Sequence, residues 1–128
     1  MKKLKIVVAG SRDFDIYDYQ RVMKPYLDHV MELVRKENKV PIIVSGEAPG
    51  ADKHGEFYAR QNGIEIDPHP ADWDNLGNSA GYIRNEEMAV VGDIVLVFWD
   101  GKSPGSKSMI ELGEKHKKIT KVIKYKDV

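Results

Sequence analysis

The chain has 128 residues, of which 41% are hydrophobic and 31% are charged, and 20 basic residues balance 20 acidic residues to a formal net charge of zero. This composition is typical of a globular protein and excludes a disordered chain, which has fewer apolar residues and a larger net charge. Because affinity for nucleic acid comes mostly from excess lysine and arginine, a neutral chain also argues against nucleic acid as a partner.

Cysteine is absent from the chain, and the histidines lack the spacing of metal ligands. Disulfides and thiolate metal sites are therefore excluded, and no metal is predicted. The apolar run at residues 6–9 is too short for the core of a signal peptide, and no stretch approaches the roughly 20 apolar residues that cross a bilayer. We therefore expect a cytoplasmic protein with no membrane role.

The first half of the chain alternates between apolar strands and amphipathic helices. Residues 5–9 form a β-branched run typical of a strand buried on both faces, and residues 18–37 have the apolar spacing of a helix. Pro25 is expected to kink that helix or to mark a late start. Residues 40–44 predict a second strand, and residues 51–61 predict a second helix.

The second half continues the alternation. Its predicted segments are, in order, a short strand near an edge at 64–66, a loop at 67–77, a helix from Asn78 or Ser79 to about 91, a central strand at 93–99, a helix from about 105 to 116, and a strand at 119–125. Strand–helix alternation at this spacing implies right-handed crossovers and a parallel sheet. The sequence thus predicts one α/β, Rossmann-like domain over residues 1–128, with about five parallel strands and helices on both faces.

Three loops that follow predicted strands are rich in glycine and serine. Ligands of open parallel sheets bind beyond the carboxyl ends of the strands, where such loops let the backbone approach closely. Helices that begin just after them, at about Ala51 and Gly105, offer unpaired N–H groups to a phosphate, and Arg12, Lys102 and Lys107 can add charge. The candidate ligand-binding residues of these loops are Gly10, Ser11, Arg12, Ser45, Gly46, Gly50, Ala51, Asp52, Trp99, Asp100, Gly101, Gly105, Ser106, Lys107 and Ser108.

Each of these loops by itself is also compatible with an ordinary strand-to-helix turn, which favours the same residues. Three of them at one edge of a sheet favour a shared site for a phosphate-bearing ligand. None matches the dinucleotide pattern G-x-G-x-x-G or the P-loop pattern, so a standard NAD enzyme or P-loop hydrolase is not predicted.

The third predicted helix adds Arg84 and Asn85, which share a helical face with Gly81. An arginine fork and an amide suit a phosphate or a base, and an ion pair with a nearby carboxylate is the structural alternative for Arg84. Trp99 is a candidate for stacking on a nucleobase, whereas Trp73 is interpreted as a core or loop anchor.

Five motifs occur in order along nearly the whole chain. They are VAGSRDF at 8–14, VSGEAPGAD at 44–52, PADW at 70–73, GYIRN at 81–85 with Met88, and FWDG at 98–101 followed by Gly105, Ser106 and Met109. Together they resemble the YspA type of the YpsA-related branch of the SLOG superfamily, which is named for the Smf/DprA proteins and the LOG phosphoribohydrolases. The resemblance implies a Rossmann-like fold with a pocket for a nucleotide or an ADP-ribose-type ligand, lined by the glycine loops and the Arg-Asn helix.

Two positions depart from the pattern that the resemblance implies. LOG enzymes pair an arginine with a glutamate, and the position of that glutamate is Met109 here. Glu111 lies roughly 200° further round the helix and does not replace it. Glu47 stands where many relatives have glycine, and a carboxylate there would repel phosphate unless it turns outward or meets a ribose hydroxyl or a metal.

Three functions compete. The first is binding or sensing of a small nucleotide-derived ligand, and the second is hydrolysis of nucleotides with Arg84, Asp52 and Asp100 as the candidate catalytic groups. The third is binding of single-stranded DNA, by analogy with the DprA relatives, which the neutral net charge opposes. The sequence leaves turnover and oligomeric state open, although relatives that pair through helices allow a homo-oligomer.

Overall fold

The structure, a computed structural model, describes residues 1–126, and five strands and six α-helices lie within them. The strands are β1 (Lys2–Gly10), β2 (Lys39–Ser45), β3 (Glu65–Pro68), β4 (Ile94–Trp99) and β5 (Ile119–Lys124). The helices are α1 (Ile16–Asp18), α2 (Lys24–Lys36), α3 (Ala51–Gln61), α4 (Trp73–Leu76), α5 (Ala80–Val91) and α6 (Pro104–Lys115). None of the helices within these residues has the length and apolarity that a membrane crossing requires.

All five strands run parallel, in the order β3-β2-β1-β4-β5. The middle strand, β1, pairs along Lys2–Val7 with β2 and along Ile6–Gly10 with β4. The chain winds outward from β1 to β3 and then crosses back to β4, so the winding direction reverses between β1 and β4. This topology confirms the predicted α/β, Rossmann-like fold. The strand expected to be central is β4, an interior strand flanked by β1 and β5.

Each face of the sheet is covered by two long helices. Ile6 and Val8 of β1 pack in the cluster with α2 and α3, whereas Val7 and Ala9 pack in the cluster with α5 and α6. All four side chains are at most 5% exposed. Burial on both faces explains why this strand is a continuous apolar run rather than an alternating one.

The segment before α2 differs from the predicted single helix. Asp15 and Asp18 form a capping box, each accepting the backbone N–H of the other, and this cap begins the helical segment at residue 16. Pro25 does not break the helical segment but lies in the first turn of α2, directly after a π-helical turn at Tyr19–Met23. A proline has no N–H to donate to the carbonyl oxygen four residues earlier, and its ring crowds that carbonyl group. The π-helical turn is wider than an α-helical turn and so accommodates both effects.

The predicted loop at residues 67–77 contains α4. The side chain of Asp72 accepts the N–H of Asn75 at 3.3 Å and thereby caps the first turn of this helix. Four residues are too few to produce a helical period in the sequence, which is why the pattern indicated only a loop. The consequence for the site is that Trp73 occupies a fixed position near the carboxyl ends of the strands.

Candidate functional site

A cleft lies beyond the carboxyl ends of β1, β2 and β4, where the winding direction reverses. It has a main lobe of about 670 Å³ and a side lobe of about 320 Å³. Arg12, Ala48, Trp73 and Arg84 line both lobes, and we call these four residues the neck. The cleft therefore has two adjacent compartments whose common boundary contains two arginines.

Arg84 reaches the neck from α5 and is held in place by two hydrogen bonds. Its Nη1 donates to the carbonyl oxygen of Gly46 at 2.5 Å, and its Nε donates to Oδ1 of Asn85 at 3.0 Å. Asn85 in turn donates from Nδ2 to the carbonyl oxygen of Gly105 at 3.3 Å. This series connects the loops after β2 and β4. The other three N–H groups of the guanidinium have no acceptor within residues 1–126, so they are available to an anion.

Asp52 lies in the first turn of α3 and is 4% exposed. Burial raises its pKa to about 6, against the opposing effects of the Arg84 charge and of the N–H of Ala48, which donates to Oδ2 at 3.3 Å. Burial likewise lowers the pKa of Arg84, with the Asp52 charge raising it and the Arg12 charge lowering it further. Asp52 is therefore a carboxyl group that takes up a proton in mildly acidic solution while Arg84 stays charged.

Asp52→Asn is expected to gain stability relative to the native protein as the pH rises from 4 to 7. The folded-state pKa of about 6 lies above the ordinary value of 3.8, so the ionised form is disfavoured in the folded state. This cost is absent below about pH 4, grows between pH 4 and 6, and is fully present above pH 6. The difference between the two pKa values corresponds to a change of about 3 kcal/mol in the unfolding free energy of the variant relative to the native protein. Urea unfolding of both proteins across this range measures the effect, and a difference in unfolding free energy that stays constant with pH would contradict it.

Three serine hydroxyls meet on the wall of the main lobe. Ser11 Oγ lies 2.8 Å from Ser103 Oγ and 3.4 Å from Ser106 Oγ, and Ser103 Oγ donates to Ser106 Oγ at 2.8 Å. Ser11 and Ser106 are buried, at 2% and 5% exposure. Hydroxyls both donate and accept, so this cluster can rearrange its protons to meet either kind of polar group on a ligand.

Asp100, a candidate general base, already has partners for its carboxylate. Its Oδ1 accepts the N–H groups of Lys102 and Ser103, each at 2.8 Å, and so stabilises the turn that leads into α6. Partial burial alone would raise the pKa of Asp100, but these N–H groups and the Ser11 hydroxyl keep it below its ordinary value. A carboxylate of lowered pKa is a weak base, and this geometry favours a structural role for Asp100.

Two of the predicted glycines make room for other parts of the protein. A side chain on Gly10 would collide with the carbonyl oxygen of Phe98 and with Cβ of Ala51. Gly50 has a φ of +85°, and a side chain there would collide with the carbonyl oxygen of Ser11, which already accepts the Ala51 N–H at 3.1 Å. Close packing of the loops against one another therefore requires these two glycines.

Six of the predicted site residues do not line either lobe of the cleft, and the rest of the predicted set does. The six are Ser45, Gly50, Ala51, Trp99, Gly101 and Lys107. Ser45 lies beneath the cleft, where its hydroxyl donates to Glu56 Oε2 at 2.6 Å. The Ser45 hydroxyl also accepts the Glu47 N–H at 3.1 Å, so Ser45 supports the loop after β2. The ligand-binding role of the lining residues stays a prediction.

Trp99 and Lys107 show that a position just after a strand does not by itself direct a side chain into the cleft. The indole N–H of Trp99 donates to the carbonyl oxygen of Ser103 at 3.0 Å, and the ring lies 5.6 Å from Lys124 Nζ, so the ring packs within the β4–β5 region. Lys107 lies on the exposed side of α6. A helix turns by about 100° per residue, so Ser106 and Lys107 point in different directions although they are neighbours.

The sequence reasoning missed Trp73, Tyr82 and Asp13, which line the main lobe. Trp73, which was interpreted as a core or loop anchor, is 50% exposed and therefore does not belong to the core, and Tyr82 is 53% exposed. Trp73 lies directly against Gly81, where an added Cβ would come within 3.3 Å of its ring. The two exposed aromatic residues flank the cleft and offer flat apolar surfaces to a ligand. The GYIRN motif contained the signal, since Tyr82 lies two residues before Arg84.

Met109 lines the main lobe and is 1% exposed, whereas Glu111 is exposed and does not line either lobe. The carboxylate expected from the LOG pattern is therefore replaced by an apolar thioether. The carboxylates that do line the main lobe are Asp13, Asp52 and Asp100. No group of three or more histidine, aspartate or glutamate residues in the described part of the chain is placed to hold a metal ion.

Glu47 lines the side lobe and has a φ of +61°, in the region that favours glycine. Glu47→Gln is expected to tighten binding of a phosphate-bearing ligand about 5-fold, because it removes a negative charge that faces the same space as three cations. Glu47→Gly is expected to do the same with a relaxed backbone. Isothermal titration measures both, and weaker binding by either variant would indicate that the carboxylate contacts the ligand instead.

The chain matches known proteins in three comparisons. Residues 4–75, more than half of the chain, match the profile of the YspA, cpYpsA-related SLOG family. The Gene 61 protein of Mycobacterium phage D29 is 38% identical over 80 residues, which cover 58% of this chain and 64% of that protein. DNA processing protein A from Helicobacter pylori, whose structure concerns its single-stranded DNA binding mode, matches 94% of this chain with a TM-score of 0.64 and 22% identity. That match covers 65% of the Helicobacter protein, so the chain spans slightly less than two thirds of either relative.

The argument against nucleic acid as a partner is wrong. It rested on the neutral net charge, and a protein of the same fold binds single-stranded DNA. Net charge sums over the whole surface, whereas binding depends on the charges that face one site. Three cations, Arg12, Lys53 and Arg84, face the side lobe against the single carboxylate of Glu47 within the described residues.

Proposed function

The chain belongs to the YspA, cpYpsA-related SLOG family, and on that premise we propose that its cleft binds a small nucleotide-derived ligand through a phosphate group at the neck. The observation that carries this proposal is the Arg84 guanidinium, fixed by Gly46 and Asn85 with three N–H groups left for an anion. A fixed guanidinium loses little conformational entropy on binding and matches the geometry of phosphate oxygens. Arg12 adds a second charge at the same position.

The walls of the main lobe are suited to the nucleoside part of such a ligand. The hydroxyls of Ser11, Ser103 and Ser106 can pair with ribose hydroxyls, and the rings of Trp73 and Tyr82 can stack on a base. A volume of about 670 Å³ is ordinary for a site that takes a small molecule.

Thermal unfolding in the presence of a nucleotide panel tests the proposal, because a ligand that binds only the folded state must raise the melting temperature. The panel comprises mono-, di- and triphosphates of the four ribonucleosides together with ADP-ribose. We expect a concentration-dependent rise in melting temperature for at least one class of nucleotide, which isothermal titration would then confirm. No rise for any compound at millimolar concentration would remove the proposal.

Single-stranded DNA is a second candidate, favoured by the fold shared with the DNA-binding Helicobacter protein. Exposed aromatic residues beside arginines are the elements that hold unstacked bases and their phosphates. Fluorescence anisotropy of a labelled oligonucleotide at several salt concentrations tests this candidate. Release of the oligonucleotide by a mononucleotide would place both at the neck, whereas binding that Arg84→Ala leaves intact would place DNA elsewhere.

Hydrolysis of an N-glycosidic bond is the remaining alternative. The observation in its favour is the pKa of Asp52 near 6, a value suited to a general base, beside Arg84. The absence of a carboxylate at Met109 removes the route that the LOG pattern implies. Chromatography of nucleotides after incubation with concentrated protein tests it. Free base that forms with the native protein and not with Asp52→Asn would show that the ligand is turned over.

A further inference from the structure

The charged residues are distributed unequally between the two lobes of the cleft. The main lobe is lined by two cations, Arg12 and Arg84, and by three carboxylates, Asp13, Asp52 and Asp100. Both of its cations belong to the neck. Asp13 is already paired with Lys126, and Asp100 accepts two backbone N–H groups. Beyond the neck, the main lobe therefore presents acceptor oxygens and hydroxyls rather than further cations, and these suit the donor groups of a sugar or a base.

The side lobe has the opposite character. Arg12 and Arg84 line it from the neck, Lys53 lines it from α3, and Glu47 is the carboxylate among its lining residues. Lys53 is 53% exposed, and its ammonium group lies 3.7 Å from Glu56 Oε1. This leaves the ammonium able to turn toward an anion in the lobe at the cost of one weak ion pair.

The charge distributions of the two lobes favour one orientation of a ligand in the cleft. A nucleoside in the main lobe directs its phosphate to the neck, and a second phosphate attached to the first extends into the side lobe. We propose that the site selects ligands that contain a nucleoside 5′-diphosphate unit over nucleoside monophosphates, with the first phosphate at Arg12 and Arg84 and the second at Lys53. The inference rests on the proposed function and adds the substrate class.

The unit occurs both in free nucleoside diphosphates and in diphosphate diesters such as ADP-ribose. The side lobe, at about 320 Å³, has room beyond a second phosphate, so the geometry applies to either source. Comparing ADP with ADP-ribose therefore separates them. Binding of both, or of one alone, supports the proposal and identifies whether the second phosphate is terminal or substituted.

Isothermal titration of the native protein, Lys53→Ala and Lys36→Ala tests the proposal with nucleoside mono- and diphosphates and with ADP-ribose. Lys36 is a matched control, because it lies at the end of α2 before β2, away from the cleft, and forms a similar ion pair with Glu32 at 3.8 Å. We expect the native protein to bind the diphosphate unit at least about 10-fold more tightly than the monophosphate. Lys53→Ala should remove most of that difference and change monophosphate affinity less than about 2-fold, and Lys36→Ala should change neither.

Equal affinity of the native protein for mono- and diphosphates would overturn this inference while leaving the proposed function intact. Equal weakening of both by Lys53→Ala would also overturn it, since the lysine would then act only through the general field of the protein. Failure of all the nucleotides to bind would instead remove the proposed function itself.

Discussion

Arg84→Ala is expected to weaken nucleotide binding by about 100-fold or more, because the phosphate loses a positioned guanidinium in a partly buried site. The effect exceeds that of an ordinary surface charge for two reasons visible in the structure. Gly46 and Asn85 fix the guanidinium before the ligand arrives, and Asp52 remains in the wall as an uncompensated carboxyl group after the arginine is removed. Removal of the Arg84 charge raises the pKa of Asp52 further, so binding by the variant should recover in part as the pH falls and Asp52 takes up a proton.

The measurement is isothermal titration with the tightest-binding nucleotide of the panel, at pH 5.5 and pH 7.5. ADP-ribose is suitable where it binds, since its diphosphate diester does not change charge over this interval. Arg60→Ala is the matched control, because Arg60 is an exposed arginine at the far end of α3, 3.7 Å from Glu56. Arg84→Lys retains the charge without the planar guanidinium, so its nucleotide affinity should lie between those of Arg84→Ala and Arg60→Ala. Native-like affinity of a folded Arg84→Ala protein would show that the ligand does not use the neck.

Gly10→Ala is expected to reduce the free energy of unfolding by about 3 kcal/mol or more, the largest stability effect that we predict for a single methyl group. Its Cβ would overlap the carbonyl oxygen of Phe98 and approach Cβ of Ala51 to 2.8 Å. Neither obstacle is a flexible side chain, because the first is the backbone of β4 and the second is fixed at the start of α3. Relief requires β1 to separate from β4 at the end where the cleft forms.

Gly105→Ala is the contrasting variant for the same measurement. An added Cβ at Gly105 has no atom within 4 Å, and the residue lies in the first turn of α6, where alanine is still the better helix former. A gain of up to about 0.5 kcal/mol is expected there, less than in the middle of a helix. Urea unfolding followed by circular dichroism measures both variants. Equal stability of Gly10→Ala and Gly105→Ala would contradict the packing of the strand-end loops described above.

The two candidate ligands make different demands on the same neck. A nucleoside diphosphate would occupy both lobes of the cleft under the proposal, so its affinity should depend on Lys53 as well as on Arg84. A DNA strand carries many phosphates, so its affinity should fall steeply with salt, whereas the exposed rings of Trp73 and Tyr82 are available to the bases of either ligand. Measuring both ligands on these variants therefore separates the functions without further structural work.

Much of the fold was determined by local sequence. The β-branched run at residues 5–9 and the helical spacing at 51–61 each predicted the observed element, because burial of a strand on both faces leaves a continuous apolar run and burial of a helix on one face leaves a period of about 3.6 residues. The order of the elements then left few topologies, since strand–helix alternation favours a parallel sheet and crossovers between parallel strands are right-handed. The loops after β1, β2 and β4 were found for the same reason, as strands end where their apolar runs end.

The tertiary structure alone decided which side chains face the cleft. Residues that are distant in the chain, such as Arg12, Lys53 and Trp73, come together only because β1 lies between β2 and β4 and because α4 fixes the segment after β3. Lys107 and Trp99 looked equally suitable in the sequence and point elsewhere, because the direction of a side chain depends on helix phase and on neighbours that a local pattern does not contain. The neutral net charge was a property of the composition, whereas the separation of carboxylates and cations between two lobes arises only when the chain folds.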